Sequence, residues 1–108
     1  MEANLIVRLA GSHRLDDTIT ELAVEFGIPQ GSSSGGDYNL QLAREQVAIV
    51  LMSVPDVFPP GKSLPDKMTD MTPAQYKVLK DVCLYNPRVD MRTFSSLVQR
   101  AITLYDTY

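Results

Sequence analysis

Apolar residues recur at helical spacing in four stretches of the chain. In the clearest stretch, Ile19, Leu22, Ala23 and Phe26 stand at i, i+3, i+4 and i+7, which places them on one face of a helix. The same reading gives predicted helices over residues 16–26, 38–54, 73–85 and 91–105. The pattern therefore predicts a mainly α fold, a compact domain of four principal helices.

The first apolar stretch, Ala3 to Ala10, precedes these helices and is harder to interpret. It is too short for periodicity to separate the two regular structures. We therefore expect either a short N-terminal strand or the first turn of a helix here.

Capping signals mark the predicted helix starts. Thr18 and Glu21 have the spacing of a capping box, and Thr72 and Gln75 repeat it. Asp90 is placed to cap the last helix. These signals predict starts close to the bounds that the periodicity gives.

Two regions, one rich in glycine and serine and one rich in proline, interrupt the helical pattern. Residues 27–37 include Gly31 to Gly36, which contains only Gly and Ser and predicts a flexible loop. Residues 55–71 form the second connection, and their four prolines favour an extended path. A connection of this length is either packed along the surface or functional.

Composition argues against several classes of protein. The chain has 108 residues and one cysteine, enough for a single domain over 1–108 and too few thiols for a disulfide or a common zinc site. Its longest apolar run, Val47 to Met52, is far shorter than the roughly 20 residues of a membrane-spanning helix. Its first residues show no secretory signal. We expect a cytoplasmic protein with no cofactor, no metal site and no membrane partner.

Two sets of residues resemble catalytic or nucleotide-binding machinery. Gly61-Lys62-Ser63 resembles the end of a phosphate-binding loop, but Asp56 stands where such a loop needs glycine. We therefore expect a surface turn. Cys83 and His13 are the single thiol and imidazole, and sequence alone leaves their pairing open. Neither set has the further signature that an active site requires, so we expect no catalytic residues.

A basic stretch over residues 77–100 supports a second hypothesis, nucleic-acid binding. Its positive residues would contact phosphates; they are Lys77, Lys80, Arg88, Arg92 and Arg100. Met71 to Leu79 is similar to the opening of the core of winged-helix repressors of the multiple-antibiotic-resistance type. That resemblance implies a helix-turn-helix-like regulator, although the chain shows no third helix with exposed polar residues and no wing hairpin.

The leading hypothesis is a small acidic protein that binds another protein as an adaptor, inhibitor or assembly component. Methionine and aromatic side chains are common interface anchors. The candidates for partner contact are Phe58, Leu64, Met68, Met71, Tyr105 and Tyr108. The alternative for Phe58 and Leu64 is that they pack the connection onto the domain. Self-association through the apolar strip 47–52 is a further expectation.

Overall fold

The computed structural model describes residues 4–11, 14–27, 40–62, 64–85 and 89–107. Within these ranges the chain forms helices and turns, and no strand. The elements are α1 (Leu5–Gly11), α2 (Leu15–Gly27), α3 (Leu40–Leu51), a 3₁₀ turn (Met68–Asp70), α4 (Pro73–Tyr85) and α5 (Met91–Thr107). The predicted mainly α class is confirmed, with five α-helices in the described part of the chain where the sequence predicted four principal ones.

The N-terminal stretch is the additional helix, so of the two alternatives for it the helix is confirmed and the short strand was wrong. Asn4 caps α1, since its Oδ1 accepts the N–H of Val7 at 3.0 Å. Leu5 and Leu9, one turn apart, are fully buried. The N–H of Leu5 also donates to the carbonyl of Val54 at 3.2 Å. Packing of one apolar face against the core stabilises this short helix. Its few residues are not enough for the sequence pattern to predict that packing.

Helix α2 begins earlier than its predicted cap. It starts at Leu15, and the N–H of Thr18 donates to the carbonyl of Arg14 at 3.0 Å as part of the first turn. Thr18 is therefore a buried residue inside the helix, and the capping box expected there was wrong. Asp16 and Asp17 lie in the first turn, where the helix dipole favours negative charge.

The predicted starts of α4 and α5 are confirmed by their hydrogen bonds. The N–H of Gln75 donates to Thr72 Oγ1 at 3.1 Å, and the N–H of Thr72 donates to Gln75 Oε1 at 3.2 Å. At α5, the N–H of Thr93 donates to Asp90 Oδ1 at 2.8 Å. Hydrogen bonds from Thr93 are the main reason that the pKa of the Asp90 carboxyl is lowered.

Helix α3 lies at the centre of the fold and contacts each of the other four α-helices. Its Val47, Val50 and Leu51 are fully buried. The helix ends at Leu51, three residues before its predicted end, because the N–H groups that follow Met52 bond one residue closer along the chain. Ser53 N–H donates to Val50 O and Val54 N–H donates to Leu51 O, at 2.9 and 3.3 Å. The strip considered for self-association is thus largely core.

Candidate binding clefts

The proposed partner-binding residues divide into buried and exposed ones. Phe58, Leu64 and Met71 are only 2%, 7% and 9% exposed and belong to the core. The ring of Phe58 meets that of Phe94 edge to face, with centroids 5.9 Å apart. These three side chains pack the connection onto the domain. For Phe58 and Leu64 this is the alternative that the sequence left open.

The remaining three candidates have different surroundings. Met68 is 50% exposed, on the 3₁₀ turn. Tyr105 is half-buried, and the guanidinium carbon of Arg8 lies 4.3 Å from its ring centroid, which ties α1 to α5. Tyr108 lies outside the described residues. Met68 is therefore the most exposed of the five candidates that lie in the described chain.

The basic residues of the 77–100 stretch are partly neutralised by carboxylates. Lys77 Nζ lies 3.2 Å from Asp81 Oδ2, one turn along α4. Arg100 makes an ion pair with Glu25 of α2, Nε lying 3.0 Å from Oε1. The other cations differ: Lys80 lies above the ring of Tyr76, Arg92 is exposed and Arg88 is outside the described residues.

A cleft of about 360 Å³ lies between the proline-rich segment, the start of α4 and the second half of α5. We call it the proline cleft. Buried side chains of the segment and of α5 form its floor; they are Phe58, Leu64, Val98 and Ile102. The sequence indicated that this connection was either packed or functional, and the structure makes it one wall of a cleft.

The wall of the proline cleft contains the turn at residues 59–62. The N–H of Lys62 donates to the carbonyl of Pro59 at 3.3 Å, with Pro60 and Gly61 between them. Gly61 has a φ of 86°, the left-handed value that a type II turn requires at this position. The expected surface turn is confirmed at Gly61 and Lys62, which are both exposed.

Polar groups of the proline cleft fall into two sets. Thr72 and Gln75 are used by the fold, since they cap α4 and Gln75 Nε2 also donates to the carbonyl of Val57 at 3.2 Å. The charged rim residues make no side-chain hydrogen bond or ion pair within the described chain; they are Asp56, Lys62 and Asp70. The rim thus offers two carboxylates and one ammonium above an apolar floor.

A second concave surface, of about 330 Å³, lies between α2 and α5. We call it the arginine groove. Its floor consists of Leu22 and Phe26 from α2 and Leu97 from α5, all buried. Its rim carries Arg92 and Arg100.

Sequence reasoning named those two arginines as phosphate contacts and did not recognise the groove. A signal was present, because Arg92, Ser96 and Arg100 stand at i, i+4 and i+8 and therefore line up along one side of α5.

The thiol of Cys83 lies outside both clefts. Cys83 is partly buried, its Sγ lies 3.9 Å from the carbonyl oxygen of Val89, and burial raises the pKa of its thiol. His13 lies outside the described residues, so the pairing of the two stays a prediction. Among the described residues no group of three or more His, Cys, Asp or Glu is placed to hold a metal ion.

None of the described helices has both the length and the apolar character needed to cross a bilayer. Comparisons with protein-family models, with curated proteins and with solved structures find no match to this chain.

Proposed function

We propose that this domain is a non-catalytic protein-binding module, an adaptor, inhibitor or assembly component, and that the proline cleft receives side chains of its protein partner. The observation that carries the proposal is the combination of an apolar floor with a rim of charges that have no partner in the described chain. Specific interfaces are built in this way, with a desolvated apolar centre inside a polar rim. We further propose a cytoplasmic setting, with which the free thiol of Cys83 is compatible.

The floor supports binding because it is already ordered. Phe58 and Leu64 are held in the core, so a partner would lose little side-chain entropy of this domain on docking. Pro59 and Pro65 restrict the backbone of the same wall. The cleft volume lies at the lower end of the roughly 300–1,000 Å³ of small-ligand sites, a scale that suits single inserted side chains of a partner.

The rim supplies specificity. Asp56 and Asp70 outnumber Lys62, so the rim has a net negative charge and favours a partner segment with a basic side chain next to an apolar one. Met68 is exposed on the 3₁₀ turn that ends at Asp70 and extends the apolar contact surface at this side.

A peptide-display selection on the immobilised domain tests the proposal. Selected peptides should combine Lys or Arg with an apolar residue, and Ala74→Trp should abolish their binding, because Ala74 is exposed and lines the proline cleft. The matched control is Ala10→Trp, which adds the same side chain at an exposed alanine of α1. Peptides that bind the Ala74→Trp protein as tightly as the parent would contradict the proposal.

The alternative function is nucleic-acid binding through the basic 77–100 region. Its support is reduced because Lys77 and Arg100 already pair with carboxylates. Fluorescence anisotropy with labelled duplex DNA separates the two functions at about 0.15 M salt. We expect no duplex binding. Binding that weakens steeply with salt and is lost in Lys80→Ala and Arg92→Ala variants would favour the alternative.

A further inference from the structure

We infer that the arginine groove is a second docking site, separate from the proline cleft, and that it receives an acidic peptide segment carrying a carboxylate beside an apolar side chain. The proposal rests on three observations: the shape of the groove, the unequal state of its two arginines, and its place on α5.

The groove has regular walls and an ordered floor. Leu22 and Phe26 face it from α2, and Leu97 faces it from α5. These three side chains are buried, so an apolar side chain entering the groove meets carbon atoms that are already fixed. A site on two helices holds its geometry more precisely than a site on a loop.

Of the two arginines on the rim, one has a carboxylate partner and the other has none in the described chain. Arg100 is paired with Glu25: its Nη2 donates to Oε2 at 3.1 Å, and its Nε lies 3.0 Å from Oε1 without the geometry of a hydrogen bond. Arg92 is exposed and makes no ion pair or side-chain hydrogen bond within the described chain. A guanidinium presents several N–H donors in a plane and matches a carboxylate in a bidentate arrangement. Arg92 is therefore the residue that recognises the carboxylate.

The nearest carboxylate along the chain does not neutralise Arg92 by direct contact. Asp90 accepts the N–H of Thr93 at 2.8 Å as the cap of α5. Hydrogen bonds from Thr93 are the largest of the causes that lower the pKa of the Asp90 carboxyl and the charge of Arg92 is the smallest, and the two side chains form no ion pair in the described chain. Ser96 stands one turn beyond Arg92 on the same side of α5 and is exposed, so its hydroxyl is available as a second donor to the ligand.

The shape and charge of the groove fit a peptide better than a phosphate backbone. Its apolar floor has no counterpart in a sugar–phosphate chain, and binding to nucleic acid draws on several cations at once. Here Arg100 is already paired with Glu25, so the groove offers a single cation without a partner in the described chain. A single carboxylate next to a leucine or phenylalanine satisfies both Arg92 and the floor.

The groove lies on the opposite side of α5 from the proline cleft. At about 100° per residue, the α5 positions that line the groove (92, 93, 96, 97 and 100) centre on a direction roughly 170° from that of 98 and 102. The two concave surfaces share no lining residue. Both sites can therefore be occupied at once, by two partners or by two segments of one partner.

Titration of the isotope-labelled protein with synthetic peptides tests the assignment by NMR. Three peptides share a central Leu-Phe pair and differ in their flanks, which are Glu, Gln or Lys. The Glu peptide should shift the amide resonances of Ser96 and Leu97. Arg92→Glu should weaken its affinity by about tenfold, which corresponds to about 1.4 kcal/mol. Lys67→Glu, the same charge reversal at an exposed lysine outside both clefts, should leave the affinity unchanged.

Two further variants keep the result interpretable. Ser96→Trp fills the groove without altering its charge and should also abolish binding, while circular dichroism reports whether each variant is folded. Ala74→Trp blocks the proline cleft and should leave the Glu peptide bound. The two proposed sites are therefore tested independently of each other. Equal binding of the Gln peptide, unchanged affinity of Arg92→Glu, or binding only to duplex DNA or anionic vesicles would overturn the assignment.

Discussion

The two clefts use opposite faces of α5 and differ in what fixes their walls. In the arginine groove both walls are helices, so the spacing between rim and floor follows from the packing of α2 on α5. In the proline cleft one wall is an irregular segment, fixed by prolines, by the turn at Gly61 and by the bond from Gln75 to Val57. The comparison shows two ways of presenting an ordered apolar floor, one set by helix packing and one by local backbone constraints.

Both clefts take their floors from the core, and this limits what mutation can reveal. Phe58 and Leu97 support the fold whether or not a ligand ever binds. The rim residues Asp56 and Arg92 are exposed and contribute little to packing. Floor substitutions therefore test the fold, while rim substitutions test recognition.

The largest expected effect is the truncation of a floor. Phe58→Ala should lower the free energy of unfolding by about 3–5 kcal/mol and Leu97→Ala by about 2–5 kcal/mol, because each leaves a cavity in the core. Met68→Ala, at an exposed methionine beside the proline cleft, should stay within about 0.5 kcal/mol of the parent. Urea denaturation followed by circular dichroism measures all three. A Phe58→Ala protein as stable as the Met68→Ala protein would show that Phe58 is a surface residue.

The sequence predicts the helices whose ends depend on local chemistry. The hydroxyl, amide and carboxylate caps of Thr72, Gln75 and Asp90 act within three residues, so their spacing is visible in the sequence and the structure reproduces their bonds. Helix α1 also has a local cap, Asn4, but its seven residues carry too little periodicity to identify a helix. Its buried face depends on contacts with residues some fifty positions away, such as the bond from Leu5 to Val54, and local pattern does not encode them.

Candidate sites are less predictable for the same reason. Phe58 and Met68 look alike as apolar residues of one connection, yet tertiary packing buries the first and exposes the second. The polar line on α5 was visible as a pattern. Its meaning depended on finding α2 opposite, with Glu25 in reach of Arg100.

The irregular wall of the proline cleft, unlike the helical walls of the arginine groove, depends on single hydrogen bonds that can be removed one at a time. Thr72→Ala removes the cap of α4 and should cost about 1 kcal/mol of unfolding free energy. Gln75→Ala removes the reciprocal bond and also the anchor to Val57, a hydrogen bond of about 0.5–1.5 kcal/mol. Gln75→Ala should therefore shift the amide resonances around Val57, while Thr72→Ala should shift mainly those at the start of α4. Identical shift patterns would show that the anchor does not hold this wall.

The third prediction concerns the ion pair at the rim of the arginine groove. Glu25→Gln should lower the free energy of unfolding by about 0.2–1 kcal/mol, since both side chains are partly exposed and solvent screens their attraction. The effect should shrink at about 1 M salt, where the Debye length falls to about 3 Å. Asp81→Asn, which removes the exposed Lys77 pair within α4, is the control, with about 0.3–0.5 kcal/mol expected. A cost for Glu25→Gln that salt does not reduce would point to packing rather than charge.

The smallest expected effect is the pH dependence of the cap on α5. The pKa of Asp90 is lowered in the folded protein, chiefly by hydrogen bonds from Thr93, so its ionised form is favoured by folding. The stability that it adds is present above the ordinary aspartate pKa of about 3.9 and is lost as pH falls through the lowered value. Asp90→Asn keeps a capping side chain but no titrating charge, so its thermal midpoint should lie below that of the parent at neutral pH and approach it in acid.

Loss of the cap loosens the first turn of α5, where Arg92 and Thr93 line the arginine groove, and leaves the proline cleft's Val98 in the helix interior. Acidification should therefore broaden or shift the amide resonances of the first pair before that of Val98, and simultaneous changes at all three would contradict a cap that acts on one cleft alone.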